Sequence, residues 1–247
     1  MPVVVYSAQD PAAVNIAECL RKESGGVRLV EVRERSVFLE AAPAEADYIV
    51  FASRHAGKGG PCLTAHAAGN WGKEAGLGGR PRALSPVPAL KLKQAVIELA
   101  RAAKQIGWPV FMEATHHGPL LPTPLLFMEI GSSEKEWRNE KAAAVVAEAI
   151  VRVVLGPPPN ATPALGIGGG HYCPAFTRLQ LESESAIGHV LQKYAIGGVD
   201  EETFRQGIER TLPRAEKVLI DWKGLSASQR KKAISLCEKT GIACGRV

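Results

Sequence analysis

The chain has 247 residues, 46% of them apolar and 22% charged, a balance that is typical of a folded globular protein and excludes extensive disorder. No apolar run approaches the roughly 20 residues that cross a bilayer, and the first residues, MPVVVYSAQD, lack the pattern of a secretory signal. We therefore expect a soluble, cytoplasmic protein with no membrane partner. Five scattered cysteines without a Cys-x-x-Cys pair exclude a disulfide framework and a cysteine-only zinc site.

The formal net charge of +5 favours a polyanionic partner such as a nucleic acid, but many enzymes that never meet nucleic acid are equally basic. Asparagine and aspartate are scarce beside glutamate and arginine, which is typical of thermophiles. Composition alone therefore leaves the partner open.

Strands and helices alternate along most of the chain. The predicted elements are, in order, strand 3–7, helix 11–23, strands 28–34 and 37–41 as a hairpin-like pair, strand 47–52, helix 89–105, strands 108–114 and 125–130, helix 133–155, strand 164–167, a helix after 199, strand 217–221 and a helix from 226. Ser133 with Glu136 and Ser226 with Gln229 have the spacing of capping boxes. The alternation predicts one domain over residues 1–247, a three-layer α/β/α fold with a mixed, mostly parallel sheet.

Residues 53–88 form a long polar, glycine-rich passage without periodicity. Loops of that length in a compact domain are usually functional or disordered. This one carries His55, His66, Asn70 and Trp71, so we expect it to contribute to a functional site.

Histidines follow three of the predicted strands. His55 follows the strand at 47–52, His116 and His117 follow the strand at 108–114, and His171 follows the strand at 164–167 across three glycines. Ligands of open α/β sheets bind beyond the carboxyl ends of the strands. If these strands are parallel neighbours, the four histidines converge on one crevice.

Glu113 is the carboxylate nearest to these histidines in the sequence. On an extended strand Glu113, Thr115 and His117 would share one face, with His116 on the other. A carboxylate beside a histidine can orient the ring, raise its basicity or act as a base, whereas the structural alternative is an ion pair with a nearby arginine. Histidine and glutamate also bind zinc. The set for such a site would be His55, Glu113, His116, His117 and His171, although no spacing here is diagnostic.

Several other templates fail. His171 stands where G-x-G-x-x-G needs glycine, and Pro174 would interrupt the helix that receives a pyrophosphate. The P-loop and the G-x-S-x-G nucleophile elbow are missing. Cys62 and Cys173 lie near the polar loops, but small buried thiols are more common than cysteine nucleophiles.

Seven sequence blocks occur in an order that resembles one family. They are SRH at 53–55, LTAHAAGNWG at 63–72, EATHHGP at 113–119, EIGSSEKEW at 129–137, GIGGGHYCPAFT at 166–177, GHVLQKYA at 188–195 and DWKG at 221–224. Together they resemble the D-aminoacyl-tRNA deacylases (D-tyrosyl-tRNA deacylases) of archaea and plants, a type unrelated to the small bacterial deacylase. Two departures, Ala65 for a β-branched residue and Cys173 for alanine, alter no polar group.

The resemblance implies an enzyme that hydrolyses the ester joining a D-amino acid to the terminal ribose of tRNA. It also implies an α/β fold akin to peptidyl-tRNA hydrolases and phosphorylase-like hydrolases, and zinc dependence has been attributed to such enzymes. We expect a monomer, with a dimer as the alternative.

On this hypothesis, bare backbone at Gly168, Gly169 and Gly170 presents N–H groups to the ester oxygen. His171, His116 or His117 positions or deprotonates the attacking water, and Glu113 orients the histidine. Selectivity for the D-isomer would follow from steric exclusion of the L side chain.

The remaining predicted contacts are with the substrate and the tRNA. The basic residues around the long loop would meet acceptor-stem phosphates: they are Arg54, Lys58, Lys73, Arg80 and Arg82. We further expect substrate contacts from His66, Asn70, Trp71 and Tyr172. Two rival classes remain: a zinc peptidase or amidohydrolase with the same residues but no tRNA, and a non-catalytic RNA-binding module, which the lack of clustered aromatics disfavours.

Overall fold

The computed structural model of the protein describes residues 1–22 and 26–247. Its helices are α1 (Pro11–Lys22), α2 (Ala89–Ala102), α3 (Glu134–Trp137), α4 (Glu140–Leu155), α5 (Pro174–Glu182), α6 (Glu201–Glu209) and α7 (Ala227–Thr240), with 3-10 turns at Ser36–Phe38 and Ala103–Gln105. No helix in the described ranges is both long and apolar enough to cross a bilayer.

The strands fall into two main sheets and two small ladders. They are β1 (Val3–Ser7), β2 (Leu29–Val32), β3 (Ile49–Ala56), β4 (Cys62–His66), β5 (Gly69–Asn70), β6 (Ala83–Leu84), β7 (Val87–Pro88), β8 (Val110–Met112), β9 (Leu125–Ser132), β10 (Thr162–Ile167), β11 (Ser185–Leu191), β12 (Thr211–Leu212), β13 (Lys217–Ile220) and β14 (Ala243–Arg246).

The first sheet has six strands in the order β2-β1-β3-β9-β4-β8. All its pairings are parallel except that between β4 and β9. Its central strands are buried on both faces, which explains why β1, β3 and β9 read as continuous apolar runs rather than as alternating patterns. Helices α1, α2 and α4 cover one face, and residues of connecting segments such as Leu39, Ala68 and Leu121 pack on the other.

The second sheet has four parallel strands in the order β11-β10-β13-β14. Phe204 and Ile208 of α6 and Leu236 of α7 pack on one face of it, against Leu165 and Val218. Helices α2 and α5 lie on the other side of β11. Helices therefore flank this sheet on both sides, and the predicted α/β class with mixed, mostly parallel sheets is confirmed.

Helix α2 is fixed to the second sheet by a buried lysine. The ammonium of Lys93 donates to the carbonyls of Gln180 at 2.5 Å, Ser183 at 2.7 Å and Ser185 at 3.2 Å. These bonds satisfy carbonyls that the end of α5 leaves without a helical partner. A positive charge near the carboxyl end of a helix also meets its negative dipole end, so the buried charge is compensated.

The two sheets meet where β8 passes the ends of β10 and β11. Beyond Met112 the chain leaves the first sheet and pairs with the second. Ala114 N–H donates to the His171 carbonyl at 2.9 Å, Cys173 N–H donates to the Met112 carbonyl at 3.0 Å, and Thr115 N–H donates to the Val190 carbonyl at 3.1 Å. This junction brings the carboxyl ends of strands from both sheets together.

Several predicted elements are wrong in detail. Residues 37–41 form no strand, because Ser36–Phe38 is a 3-10 turn, and β2 pairs in parallel with β1 instead of forming a hairpin. The passage 53–88 is not one loop, since β3 extends to Ala56 and β4 is a buried strand of the first sheet. The periodicity of the sequence does not reveal β4, because its apolar run is short and the strand ends in a polar residue.

Two helix predictions also change. The helix at 133–155 is broken at Arg138, and Asn139 caps α4 by accepting from Ala142 N–H at 3.0 Å. Pro174 does not interrupt a helix but occupies the first turn of α5, where its missing N–H costs nothing. The predicted capping boxes of Ser133 and Ser226 are confirmed. The predicted end of α1 at Glu23 lies outside the described residues.

Candidate functional site

The four predicted histidines line one cavity at the junction of the sheets. The cavity has a volume of about 330 Å³, and His55, His116, His117 and His171 are among its lining residues. The predicted convergence is confirmed, but its predicted cause is wrong. The strands that precede the histidines are not neighbours, because β3 and β8 lie in one sheet and β10 in the other.

Glu113 lies at the centre of this cluster with its side chain 0% exposed. Its Oε1 is 2.9 Å from His55 Nδ1, and its Oε2 is 3.2 Å from His171 Nε2 and 3.5 Å from His116 Nε2. Burial pushes the pKa of Glu113 up, but the surrounding imidazoles outweigh it and hold the pKa well below the usual range. The polar neighbours of both oxygens are these three imidazoles. The carboxylate is therefore ionised and held among the histidines.

His55 is held on both of its ring nitrogens. Nδ1 faces Glu113, and Nε2 lies 2.8 Å from the Tyr172 hydroxyl. Burial lowers the pKa of His55, but the Glu113 carboxylate and, at 3.9 Å, Glu129 outweigh it and raise the pKa overall. The main chain is fixed as well, since Trp137 Nε1 donates to the His55 carbonyl at 2.9 Å. Tyr172 thus contributes to this site through His55.

Three histidines share a second arrangement. His66, His116 and His117 each place Nδ1 against a backbone carbonyl, those of Ala67 at 3.1 Å, Ala114 at 2.8 Å and Gly118 at 2.5 Å. Because a carbonyl only accepts, each Nδ1 carries a proton, and in the neutral ring Nε2 is then an acceptor or ligand. One ring nitrogen from each histidine lies within 4.8 Å of the other two. Metal-binding histidines typically donate their other N–H in this way.

The protonation states of these three rings differ. Burial and the neighbouring His66 hold the pKa of His116 well below its ordinary value, and the same causes lower the pKa of His117 to about 3. Burial also lowers the pKa of His66, but Glu129, 3.6 Å from its Nε2, outweighs burial and raises the pKa. His116 and His117 are therefore neutral near pH 7.

The backbone around Glu113 departs from the predicted alternation. The strand ends at Met112, so the two-residue period stops there, and Glu113 contacts His116 instead of sharing a face with Thr115. Thr115 turns away to His189, with 3.1 Å between its hydroxyl and Nδ1. His117 adopts φ 43°, a left-handed conformation that is uncommon outside glycine and that is found at functional sites.

The glycines at 168–170 form a turn in which two of the three donors are already used. Gly168 N–H donates to the Leu191 carbonyl at 2.9 Å, and Gly170 N–H donates to the Tyr172 carbonyl at 3.2 Å. The prediction that Gly170 presents a free donor to the substrate is therefore wrong, whereas the predicted donor of Gly169 stays a prediction. Gly168 and Gly169 have φ of 128° and 72°, so glycine is needed there for the backbone conformation.

The basic residues that were predicted to contact tRNA differ in their surroundings. Arg54 lines the cavity with its guanidinium 5.1 Å from the Trp137 ring centroid, and Lys58 is exposed near the carboxyl end of β3. Lys73 and Arg80 are also exposed, whereas Arg82 is engaged in an ion pair with Asp200 at 2.7 Å.

Asn70 and Trp71 have structural contacts. The Asn70 amide donates to the Gly78 carbonyl at 2.9 Å. Trp71 is 2% exposed and its Nε1 donates to the Val190 carbonyl at 3.0 Å. We expected a substrate contact from Trp71, but its buried ring is not free to stack on a substrate.

The sequence reasoning missed Glu129 and Asp10. Glu129 is buried in β9, lines the cavity and lies close to His66. A carboxylate inside an otherwise apolar strand is a signal that could have identified it. Asp10 is also buried and lines the cavity, and it accepts from Arg54 N–H at 2.9 Å. Asp10 also caps α1, since its Oδ1 accepts from Ala12 N–H at 3.0 Å and from Ala13 N–H at 3.1 Å.

Comparison with known proteins gives one consistent family. The protein-family model described as D-aminoacyl-tRNA deacylase matches residues 42–245 of this chain. A D-aminoacyl-tRNA deacylase of Pyrococcus furiosus is 36% identical and covers 98% of both chains. The D-aminoacyl-tRNA deacylase of Pyrococcus abyssi is 42% identical, over 79% of this chain and 72% of that relative. The D-aminoacyl-tRNA deacylase of Methanosarcina acetivorans is 37% identical, over 94% of this chain and 80% of that relative.

A solved structure supports the same relationship. The crystal structure of a conserved protein of unknown function superimposes with a TM-score of 0.91 at 29% identity, over 100% of this chain and 95% of that one. The resemblance of the seven sequence blocks is confirmed by these independent comparisons. This chain belongs to the D-aminoacyl-tRNA deacylase family.

Proposed function

We propose that the protein hydrolyses the ester bond of D-aminoacyl-tRNA and releases the free D-amino acid and tRNA. One observation carries this proposal beyond the family match: an ionised, buried Glu113 lies among three imidazoles at a cavity large enough for an aminoacyl group. The family supports tRNA as the substrate over the peptidase or amidohydrolase alternative. Since tRNA is aminoacylated in the cytoplasm, we place the protein there, acting as a monomer.

His171 is the best-placed general base. Its side chain is 41% exposed at the cavity, and its Nε2 lies against Glu113. Glu113 orients the ring, which leaves Nδ1 to take a proton from water. The water oxygen then bonds to the ester carbonyl carbon. Collapse of this intermediate breaks the bond to the ribose oxygen, which takes up the proton.

His55 would stabilise the negative charge that develops on the carbonyl oxygen. Its raised pKa favours a positive ring, and Tyr172 and Glu113 hold that ring in place. A preorganised charge in a buried site stabilises a transition state more strongly than a mobile one in water does. This role replaces the oxyanion donor that was predicted from Gly170.

The residues also fit zinc, and we propose His66, His116 and His117 as its ligands. The fit rests on the three Nδ1–H groups that face carbonyls and on His66 Nε2, which is buried without a hydrogen-bond partner among the described residues. Three histidines with an open fourth position form a known catalytic arrangement, in which zinc lowers the pKa of bound water. Glu113, whose Oε2 is 3.5 Å from His116 Nε2, is the carboxylate beside this set of ligands.

Selectivity for the D-isomer would come from the walls of the cavity. Val37, Leu77 and Trp137 line it beside the polar cluster. A tetrahedral carbon held by its ester and amino groups points the D and L side chains in different directions, so rigid walls that admit one exclude the other.

The test of this function is hydrolysis of an ester in preference to an amide. Purified protein should release D-tyrosine from D-tyrosyl-tRNA, while a D-tyrosyl peptide amide should remain intact. The reverse preference would support the peptidase or amidohydrolase alternative and overturn the proposal.

A further inference from the structure

A second cavity lies on the other side of His116. It has a volume of about 380 Å³ and is formed by the segment from Gly69 to Glu74 and by the turn that follows β11, which includes Gln192 and Tyr194. His116 lines both cavities. A molecule with two arms could therefore occupy both cavities and pass over the proposed hydrolytic site.

Two side chains of this second cavity, Tyr194 and Gln192, contact each other and have polar or aromatic groups that the core does not use. Tyr194 is 63% exposed, so its ring contributes little to the core. Gln192 is only 7% exposed, and its enclosed Oε1 accepts no hydrogen bond from the described part of the chain. An enclosed amide oxygen without a donor costs free energy. Both features indicate a ligand that offers a flat ring and an N–H donor.

We propose that this second cavity binds the terminal adenosine of the tRNA, an inference that rests on the proposed function. Adenine has an aromatic face for Tyr194 and an exocyclic amino group that can donate to Gln192 Oε1. Lys73 is exposed at the same cavity and is available to a phosphate. The ester then lies at His116, and the aminoacyl group enters the first cavity.

The assignment of the two arms follows from their chemistry. The nucleotide continues into the body of the tRNA, so its cavity must have an accessible rim, which Tyr194 and Lys73 provide. The aminoacyl group ends the molecule and can be enclosed, as between Val37 and Trp137 in the first cavity. The opposite placement would enclose the strand that must leave.

The experiment measures D-tyrosyl-tRNA hydrolysis by the wild type and by Tyr194→Ala, Tyr194→Phe and Gln192→Leu. Loss of base stacking should raise KM by about tenfold or more in Tyr194→Ala with a much smaller fall in kcat, and Tyr194→Phe should keep the wild-type KM. Adenosine monophosphate should inhibit the wild type competitively and Tyr194→Ala far more weakly. Leu181→Ala, which alters an exposed apolar residue on α5, is the matched control.

The outcomes separate this proposal from the proposed function. If the wild type does not hydrolyse D-tyrosyl-tRNA, the proposed function fails. If it does, but Tyr194→Ala and Gln192→Leu keep the wild-type KM and adenosine monophosphate does not inhibit, the function stands and the adenosine site is refuted. Thermal melting of each variant identifies any loss of activity that reflects unfolding.

Discussion

Glu113 Oε1 lies 2.9 Å from His55 Nδ1, and both side chains are buried. The two groups favour each other's charged forms, since the pKa of the carboxyl is lowered and that of the imidazole is raised against the effect of burial. Breaking such a pair leaves one uncompensated buried charge, which is costly. The pair therefore fixes a negative and a positive group at one end of the cavity, where an ester carbonyl and its attacking water would meet.

Metal content tests the proposed zinc ligands. Protein purified without chelator should carry about one zinc per chain by elemental analysis, and His117→Ala should lose it because a neutral imidazole ligand is removed. His189→Gln is the matched control, since His189 is a buried histidine whose Nδ1 contacts Thr115 outside the cluster. Equal zinc in wild type and His117→Ala would contradict this ligand set.

Alanine substitutions at Gly168 and at Gly170 should change the stability of the protein by different amounts. A Cβ on Gly168 would lie 2.7 Å from Asp221 Cβ at φ 128°, whereas a Cβ on Gly170 would meet nothing closer than the Tyr172 carbonyl at 3.8 Å. Gly168→Ala should lower the free energy of unfolding by more than ~2 kcal/mol, and Gly170→Ala by less than ~1 kcal/mol. Urea denaturation measures both.

The activity of Gly170→Ala tests whether the Gly170 N–H takes part in catalysis. Gly170→Ala should keep kcat within a few-fold of the wild type, because its N–H already bonds the Tyr172 carbonyl. A fall of about 100-fold without loss of stability would show that this N–H serves the transition state after all.

Salt dependence tests the basic contact with tRNA. Each neutralised phosphate adds about one unit to the slope of log affinity against log salt. Lys58→Glu should therefore weaken binding of uncharged tRNA and reduce the slope by about 1. Lys104→Glu reverses an exposed charge in the 3-10 turn Ala103–Gln105 and should leave the slope unchanged. Identical slopes for both variants would remove Lys58 from the interface.

Stability should fall in acid partly through His189. Burial is the main cause that lowers its pKa to about 3, whereas the unfolded chain protonates histidine near pH 6.5. Between these values the unfolded state binds a proton that the folded state does not, so the free energy of unfolding decreases by about 1.4 kcal/mol per pH unit as the pH falls. His189→Gln should lose less stability than the wild type from about pH 6.5 to about pH 4. Parallel losses in denaturant titrations would show that His189 is not buried as a neutral ring.

The histidine cluster could be predicted because its signals are local. His55, His116 and His171 each follow an apolar run, and the rule that ligands lie beyond strand ends brought them together without knowledge of the strand order. Glu113 was found by proximity in the sequence. The order itself could not be read, because β4 enters the first sheet antiparallel between β9 and β8, and long-range pairing leaves no periodic trace.

The remaining errors have similar causes. Trp71 was assigned to substrate because a polar loop was expected around it, but packing against the second sheet buries Trp71. Glu129 was overlooked because its neighbours read as an ordinary strand. The partners of backbone donors, such as that of Gly170, depend on the fold and could not be inferred from a run of glycines.

The most direct measurement compares the hydrolysis of D-tyrosyl-tRNA and L-tyrosyl-tRNA by the wild type and by Glu113→Gln. The wild type should hydrolyse the D-isomer at least ~100-fold faster. Glu113→Gln should be less stable, because His55 loses its charged partner. At a temperature where thermal melting shows the variant folded, its rate should be about 10²–10⁴-fold lower, because the base loses its orienting charge. Glu148→Gln, which changes a carboxylate paired with Arg152 on the surface of α4, is the control. Equal rates on both isomers, or full activity of Glu113→Gln, would contradict the account.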